Sequence, residues 1–225
     1  KPVVDRMLEA LPGTVMLAGT ALVFTLLYAL PAGIISALNR NKWIDYLLRV
    51  ASFVGVSMPS FWLGLVLIYI FGLKLGLVPI ASSRITATGV ILPAVTLAVV
   101  VGSKYMRQVR LVILEEMQKD YVIGARARGV SEMKILFGHI LPNAVLPLIT
   151  ILGVLIGWLL GGVAVVEMVF SWPGLGNMAI YAITMRDYPL IEGFVLWVAI
   201  AYMCINALVD ASYVLLDPRL KRERA

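Results

Sequence analysis

Charge is scarce in this sequence. Lysine, arginine, aspartate and glutamate make up 14% of its 225 residues, against about 25% in an ordinary soluble domain. A water-soluble fold that is 61% apolar would expose large adhesive patches, so that class is excluded and the bilayer is the better solvent. Cysteine is nearly absent: Cys204 stands alone in an apolar run, which rules out a disulfide framework within the chain. Histidine is equally rare. His139 has no second ligand at helical spacing, and metal sites need several, so no metal is expected. A GxxxxGK[ST] phosphate loop is missing too, so the chain is expected to bind no ATP and no other cofactor itself. The first residue is Lys1 rather than methionine, and the first apolar run is too long for a signal peptide. We therefore expect a fragment or a processed chain with an upstream segment missing.

What is abundant is long apolar runs. A membrane-crossing helix needs roughly 20 mostly apolar residues. Five runs qualify: Thr14 to Leu38, Leu47 to Leu73, Val90 to Leu114, Leu141 to Phe170 and Leu190 to Leu216. Pro31, Pro59, Pro93 and Pro147 fall inside them, which spanning helices tolerate when neighbouring groups satisfy the freed carbonyls. The expected fold is all-α, a polytopic membrane helix bundle with five spans in a single domain over residues 1–225.

The net charge of +6 invites a nucleic-acid reading, but the placement of the charges argues against it. Arg40, Lys42 and Arg49 follow the first run. Lys104, Arg107, Arg110, Lys119, Arg126, Arg128 and Lys134 lie from the later part of the third run to the start of the fourth, and Arg219, Lys221, Arg222 and Arg224 end the chain. With five spans these clusters share one side, and fourteen of the nineteen cations are there. Positive residues mark the cytoplasmic side. The N-terminus of this chain is thus expected outside and its C-terminus inside, in a bacterial or archaeal cytoplasmic (inner) membrane, with no nucleic-acid partner.

The connection over residues 115–141 is the longest charged interruption. Asp120 to Ala127 reads as a short helix, with Tyr121, Val122 and Ala125 on one face. Gly129 supplies a left-handed residue that ends it, and Ser131 is placed to cap a second helix. Met133, Leu136, Phe137 and Ile140 form an i, i+3, i+4, i+7 stripe in that helix. Pro142 stands where it would enter the membrane. Pattern alone leaves two roles open, a docking surface or a basic loop resting on lipid headgroups.

The segment "DYVIGARARGVSE" with "HILPNA" resembles the cytoplasmic loop signature of ABC-importer permeases, an EAA triplet, a glycine and, 13 residues on, a proline; Gly129 and Pro142 keep that spacing and Ala125 holds the third triplet position. Ile123 replaces the glutamate, Gly124 the first alanine, and His139 stands at an isoleucine position. Those departures resemble the dipeptide, oligopeptide and nickel permease branch, which commonly has arginine where Pro142 stands. "GVSMPSFWLG", "VVEMVFSWPGLG", "RDYP" and "NALVDASYVLLDPRL" agree with that branch, so the likeness runs along nearly the whole chain. It implies a non-enzymatic permease subunit, half of a translocation pathway for peptides or for nickel and other metal chelates. It also implies a second homologous permease subunit, two ATPase subunits that use the ATP, an external or periplasmic substrate-binding protein, and a further upstream span. The loop would be the coupling helix. Tyr121, Ala125, Arg126, Ala127, Arg128, Gly129 and Ser131 would be its ATPase-facing or shaping residues, with Ala125 and Ala127 keeping it thin and Arg126 and Arg128 meeting acids at the groove rim.

Three other groups are candidates. Gly153, Gly157 and Gly161 recur every four residues, which lets helix backbones approach closely; the partner is either the second permease subunit or a helix of this chain. Glu167 is placed either to line an external gate or to brace the turn at Pro173 and Gly174. Asn206 and Asp210 share a helix face and serve either the path or helix–helix locking. Competing classes are a stand-alone ion-coupled carrier or channel, which would carry a filter or several mid-span charges, and a membrane enzyme, which would need a catalytic cluster. The sequence supports neither.

Overall fold

The computed structural model describes residues 2–216, with side chains to 212 apart from 161 and 162. Among these residues every element is helical. The basic tail Arg219, Lys221, Arg222 and Arg224 lies outside the described residues.

The first helix, α1 (Val3–Leu38), is 36 residues long, about 54 Å at 1.5 Å per residue, and starts well before the expected Thr14. Its buried face is a ladder of small residues, Thr14, Ala18, Ala21, Thr25, Ala29, Gly33 and Ala37. That ladder brings α1 close to α4 (Ile91–Glu116): a Cβ on Gly33 would stand 2.7 Å from Val109 Cβ.

The second run is not one straight span. α2 (Trp43–Ser57) and α3 (Ser60–Lys74) meet at 101°. Pro59 disfavours the helical region for the residue before it, and Met58 is extended at φ −81°, ψ 127°.

By length and composition three helices are apolar enough to cross a membrane: Val3–Leu38, Glu132–Leu160 and Tyr188–Ser212; the bent pair α2–α3 makes a fourth. The remaining expected run falls on α4, whose 26 residues are long enough. Its second half carries Lys104, Arg107 and Arg110, and these polar residues keep it from meeting the same test.

After the short α5 (Asp120–Ala127), α6 (Glu132–Ile135) passes through a wide turn of helix at Leu136–Ile140 into α7 (Leu141–Gly162). Helix therefore runs straight through Pro142. The expected fourth span ends at Gly162 rather than Phe170. α8 (Ala164–Val169) and α9 (Leu175–Met185) follow, and α10 (Tyr188–Leu216) closes the chain. At 11 residues, about 17 Å, α9 is too short to cross. Sequence periodicity did not reveal it.

Candidate functional site

The 115–141 loop is built outward from the end of α4. Glu116 is buried there and accepts hydrogen bonds from Tyr121 Oη at 2.6 Å and from Lys119 Nζ. Val122 and Ala125 are also buried and join the main apolar core. α5 is thus clamped to the bundle along one face. Burial, with the Glu116 carboxylate beside it, pushes the Tyr121 hydroxyl up to about 12. The helix ends as the sequence suggested. Gly129 has φ +78°, its N–H reaches Arg126 O at 2.9 Å, and Val130 N–H reaches Ala125 O at 3.2 Å. These are the two backbone bonds of a Schellman cap, which requires a left-handed residue.

Several expectations for the loop need correction. Ala125 faces the core, with 1% of its surface exposed, so it thins no groove-facing edge; Ala127 is the exposed one of the pair. Arg126 is already engaged, gripping both oxygens of Glu132 at 2.8 and 3.1 Å. The pair raises the Arg126 guanidinium and lowers the Glu132 carboxyl from their ordinary values. Arg128 has no ion pair among the described residues. Ser131 occupies the N-cap position of α6 but makes no side-chain capping bond. The apolar stripe is split: Leu136 and Ile140 are buried beside Ile135, whereas Met133 and Phe137 are about 60% exposed. The wide turn at Leu136–Ile140 has i→i+5 bonding, which rotates the later positions away from α-helical register. The loop's exposed surface includes Ile123, Ala127, Arg128, Met133 and Phe137.

At the opposite end of the bundle Glu167 is fully buried. Oε1 accepts from Thr14 Oγ1 at 2.7 Å and Oε2 from the Asn177 N–H at 2.9 Å. A carboxylate at the start of α9 meets free N–H groups and the positive end of the helix dipole. Around it Trp172, with no exposed surface, donates Nε1–H to Gly13 O at 2.8 Å, and the Leu175 N–H donates to Thr14 Oγ1 at 2.8 Å. A Cβ on Gly13 would lie 2.1 Å from Pro173 O. Glu167 thus braces the turn and lines no open path in this structure.

Gly153 and Gly157 pack within the chain. A Cβ on Gly153 would stand 2.2 Å from Val209 and one on Gly157 2.5 Å from Tyr202, both on α10. The surroundings of Gly161 lie outside the described side chains. Asn206 and Asp210 are exposed and lock no helices among the described residues.

Sequence reasoning missed three features. Asp45 is fully buried and takes Arg110 in a bidentate pair at 2.8 and 2.9 Å, with Ser36 Oγ at 2.6 Å and the Asn41 N–H at 3.0 Å. The signal was one carboxylate inside a basic turn, four residues before Arg49. Glu116 was the second. The third is a pocket of about 310 Å³ between α4 and α7, lined by Lys104, Gln108, Thr150, Val154 and Trp158. Lys104 Nζ lies there 5.9 Å from the Trp158 ring centre.

Residues 29–222 match the model of the binding-protein-dependent transport system inner membrane component family. The chain belongs to this family. The match takes in the clamped loop, the Glu167 turn and all helices from α2 onward. As a member of this inner membrane family the chain is a permease subunit of an ABC importer, and the stand-alone carrier, channel and enzyme classes are set aside. The chain is 36% identical to the probable D,D-dipeptide transport system permease protein DdpB of Escherichia coli (strain K12), over 99% of this chain and 74% of that protein. It is 37% identical to the glutathione transport system permease protein GsiC of the same strain, over 98% and 72%. Among solved structures, the inward-facing MetNI methionine ABC transporter superposes at a TM-score of 0.76 with 20% identity, covering 96% of this chain and 99% of that one. An amino acid ABC transporter superposes at 0.68 with 17% identity, covering 92% of each. These two likenesses concern the fold.

Proposed function

We propose that this permease subunit carries peptides, and that α5 couples its helices to a separate ATPase. The clamped loop carries this reading. One face of α5 is fixed, through the Tyr121 bond to Glu116 at the end of α4 and through Val122 and Ala125 buried in the core, while Ile123, Ala127, Arg128, Met133 and Phe137 are exposed. A helix held on one side and bare on the other transmits a push rather than absorbing it. Arg128 stands ready for an acidic group at the rim of a partner groove. The partners are two ATPase subunits, a second permease subunit and an external binding protein. The orientation is N-terminus outside and the loop inside.

The peptide reading rests on the two Escherichia coli relatives, whose names specify a D,D-dipeptide and glutathione. The α4–α7 pocket suits such a cargo. Lys104 offers a cation to a terminal carboxylate, and Trp158 and Val154 offer an apolar wall. Mid-span cations face a bundle interior or a water-filled cavity.

The test is reconstitution with partner ATPases, a second permease and a binding protein, with ATP hydrolysis and peptide uptake read separately. Ala127→Trp adds bulk where the groove must close, and uptake per ATP hydrolysed is expected to collapse. Wild-type uptake per ATP in this variant would reduce the loop to a positive-inside anchor. Lys104→Gln is expected to raise the KM for a free-carboxylate peptide and not for its amidated form. An equal effect on both would remove Lys104 from cargo recognition.

A further inference from the structure

The inner end of α2 holds an arrangement that coupling and transport leave unused. Arg49, Arg107 and Arg110 converge on a pocket of about 450 Å³ between α2 and α4, walled by Tyr46, Val50 and Phe53. The single carboxylate there, Asp45, is bound edge-on by Arg110. Arg49 is a more distant neighbour of it, with Nε at 3.6 Å from Oδ1. Arg107 has no ion pair among the described residues. Three guanidinium groups therefore face one carboxylate.

The two remaining arginines are held by their faces. Arg49 stacks over the Tyr46 ring at 4.5 Å and Arg107 over the Phe53 ring at 5.5 Å. Stacking satisfies no N–H group, and the Nε atoms of both are buried without an acceptor at hydrogen-bond distance. A buried, unmet donor on a charged group is costly, and two neighbouring cations add repulsion. An anion with several acceptor oxygens placed between them relieves both, and phosphate oxygens suit the planar guanidinium fork.

The surroundings decide what carries the anion. Trp43, Tyr46, Val50 and Phe53 recur at spacings of three or four, and each is more than half exposed. The basic end of this stripe carries exposed aromatics, as at a membrane–water interface. Beyond it the stripe is apolar toward the bend at Pro59. A headgroup-sized basic pocket continuous with an exposed apolar track matches an amphipathic ligand, not a free ion. Basic pockets between helices on the cytoplasmic side suit acidic headgroups. We propose that this pocket binds the phosphate headgroup of an anionic phospholipid of the inner leaflet, with Arg49 and Arg107 as its principal ligands and the exposed face of α2 as the acyl-chain track. The leaflet assignment rests on the orientation proposed above.

The assembled transporter is purified from vesicles of phosphatidylcholine containing a minority of phosphatidylglycerol, and the retained lipids are counted by native mass spectrometry. Wild type is expected to retain phosphatidylglycerol selectively. Each of Arg49→Gln and Arg107→Gln is expected to weaken retention roughly five-fold, the value of one cation near an acidic leaflet. Lys134→Gln, an exposed cation outside the pocket, is expected to change nothing. Equal retention by wild type and Arg49→Gln overturns the proposal; this variant decides alone if Arg107→Gln does not fold. In phosphatidylcholine vesicles, inorganic phosphate is expected to leave Tm unchanged. If phosphate raises Tm in wild type as much as phosphatidylglycerol does, and not in Arg49→Gln, the site takes a free anion and the lipid assignment falls. Transport is not read in this test, so failure of the peptide reading leaves its result standing. An error of orientation shows instead in labelling of Lys42→Cys from outside.

Discussion

Two buried glutamates stand at opposite ends of the bundle, and each holds the start of a short helix. Glu116 holds α5 through the side chains of Tyr121 and Lys119. Glu167 holds α9 through the Asn177 backbone N–H and reaches α1 through Thr14. The environments differ. α5 has one buried face and one exposed, whereas the Glu167 turn is closed over by Trp172, Phe170 and Leu175, each at most 2% exposed. Similar chemistry therefore leaves a half-bare helix, the proposed lever, at one end and makes a lock at the other. What separates them is the amount of apolar surface packed over the carboxylate.

The largest expected effect is at the lock. Trp172→Ala removes the ring from a fully buried site together with the bond to Gly13 O. Such truncations typically cost about 3–5 kcal/mol, so a marked fall in Tm and in the yield of folded protein is expected. A Tm within the wild-type range would mean that the turn is not a lock.

Between the two ends lies the α7–α10 contact. Gly157→Leu would drive a side chain into Tyr202. Overpacking costs about 1–3 kcal/mol, and a lower Tm is expected for this chain before any partner is added. If Tm is unchanged and only assembly with a second permease fails, the glycine face belongs to the subunit interface instead.

At the lever, a comparable strain should act on function more than on folding. Gly129→Val places a β-branched residue at φ +78°, a strain of order 1–3 kcal/mol. That matches typical coupling free energies of about 1–3 kcal/mol. Normal membrane insertion with reduced uptake per ATP is the expected outcome. Normal uptake would show that the cap does not set the lever's angle.

The smallest effect is a titration. The Tyr121 hydroxyl is raised to about 12 from an ordinary value near 10. Its folded value lies above its unfolded one, so its contribution to loop stability is complete below about pH 10 and is lost as pH rises through about 12. The late-titrating part of the phenolate absorbance should lose one tyrosine in Tyr121→Phe, a change that itself should cost about 0.5–1.5 kcal/mol for the hydrogen bond. An unchanged titration in Tyr121→Phe would break the comparison, because Glu116 would then hold α5 by Lys119 alone.

The sequence by itself determined the solvent and the overall class. Five apolar runs, sparse charge and a basic loop sufficed because membrane insertion depends on composition summed over about 20 residues. It also determined where α5 ends, since a glycine after a short helix fixes the Schellman cap locally. Only the tertiary structure decided which face of α5 is bare, because burial of Ala125 and exposure of Ala127 depend on which side of the helix the folded core covers. The same holds for Glu167, whose partners Thr14 and Asn177 include one 153 residues away, and for Asp45, which meets Arg110 across 65 residues. Periodicity and caps are short-range signals. A buried carboxylate acquires its role from groups that only folding brings within hydrogen-bond reach.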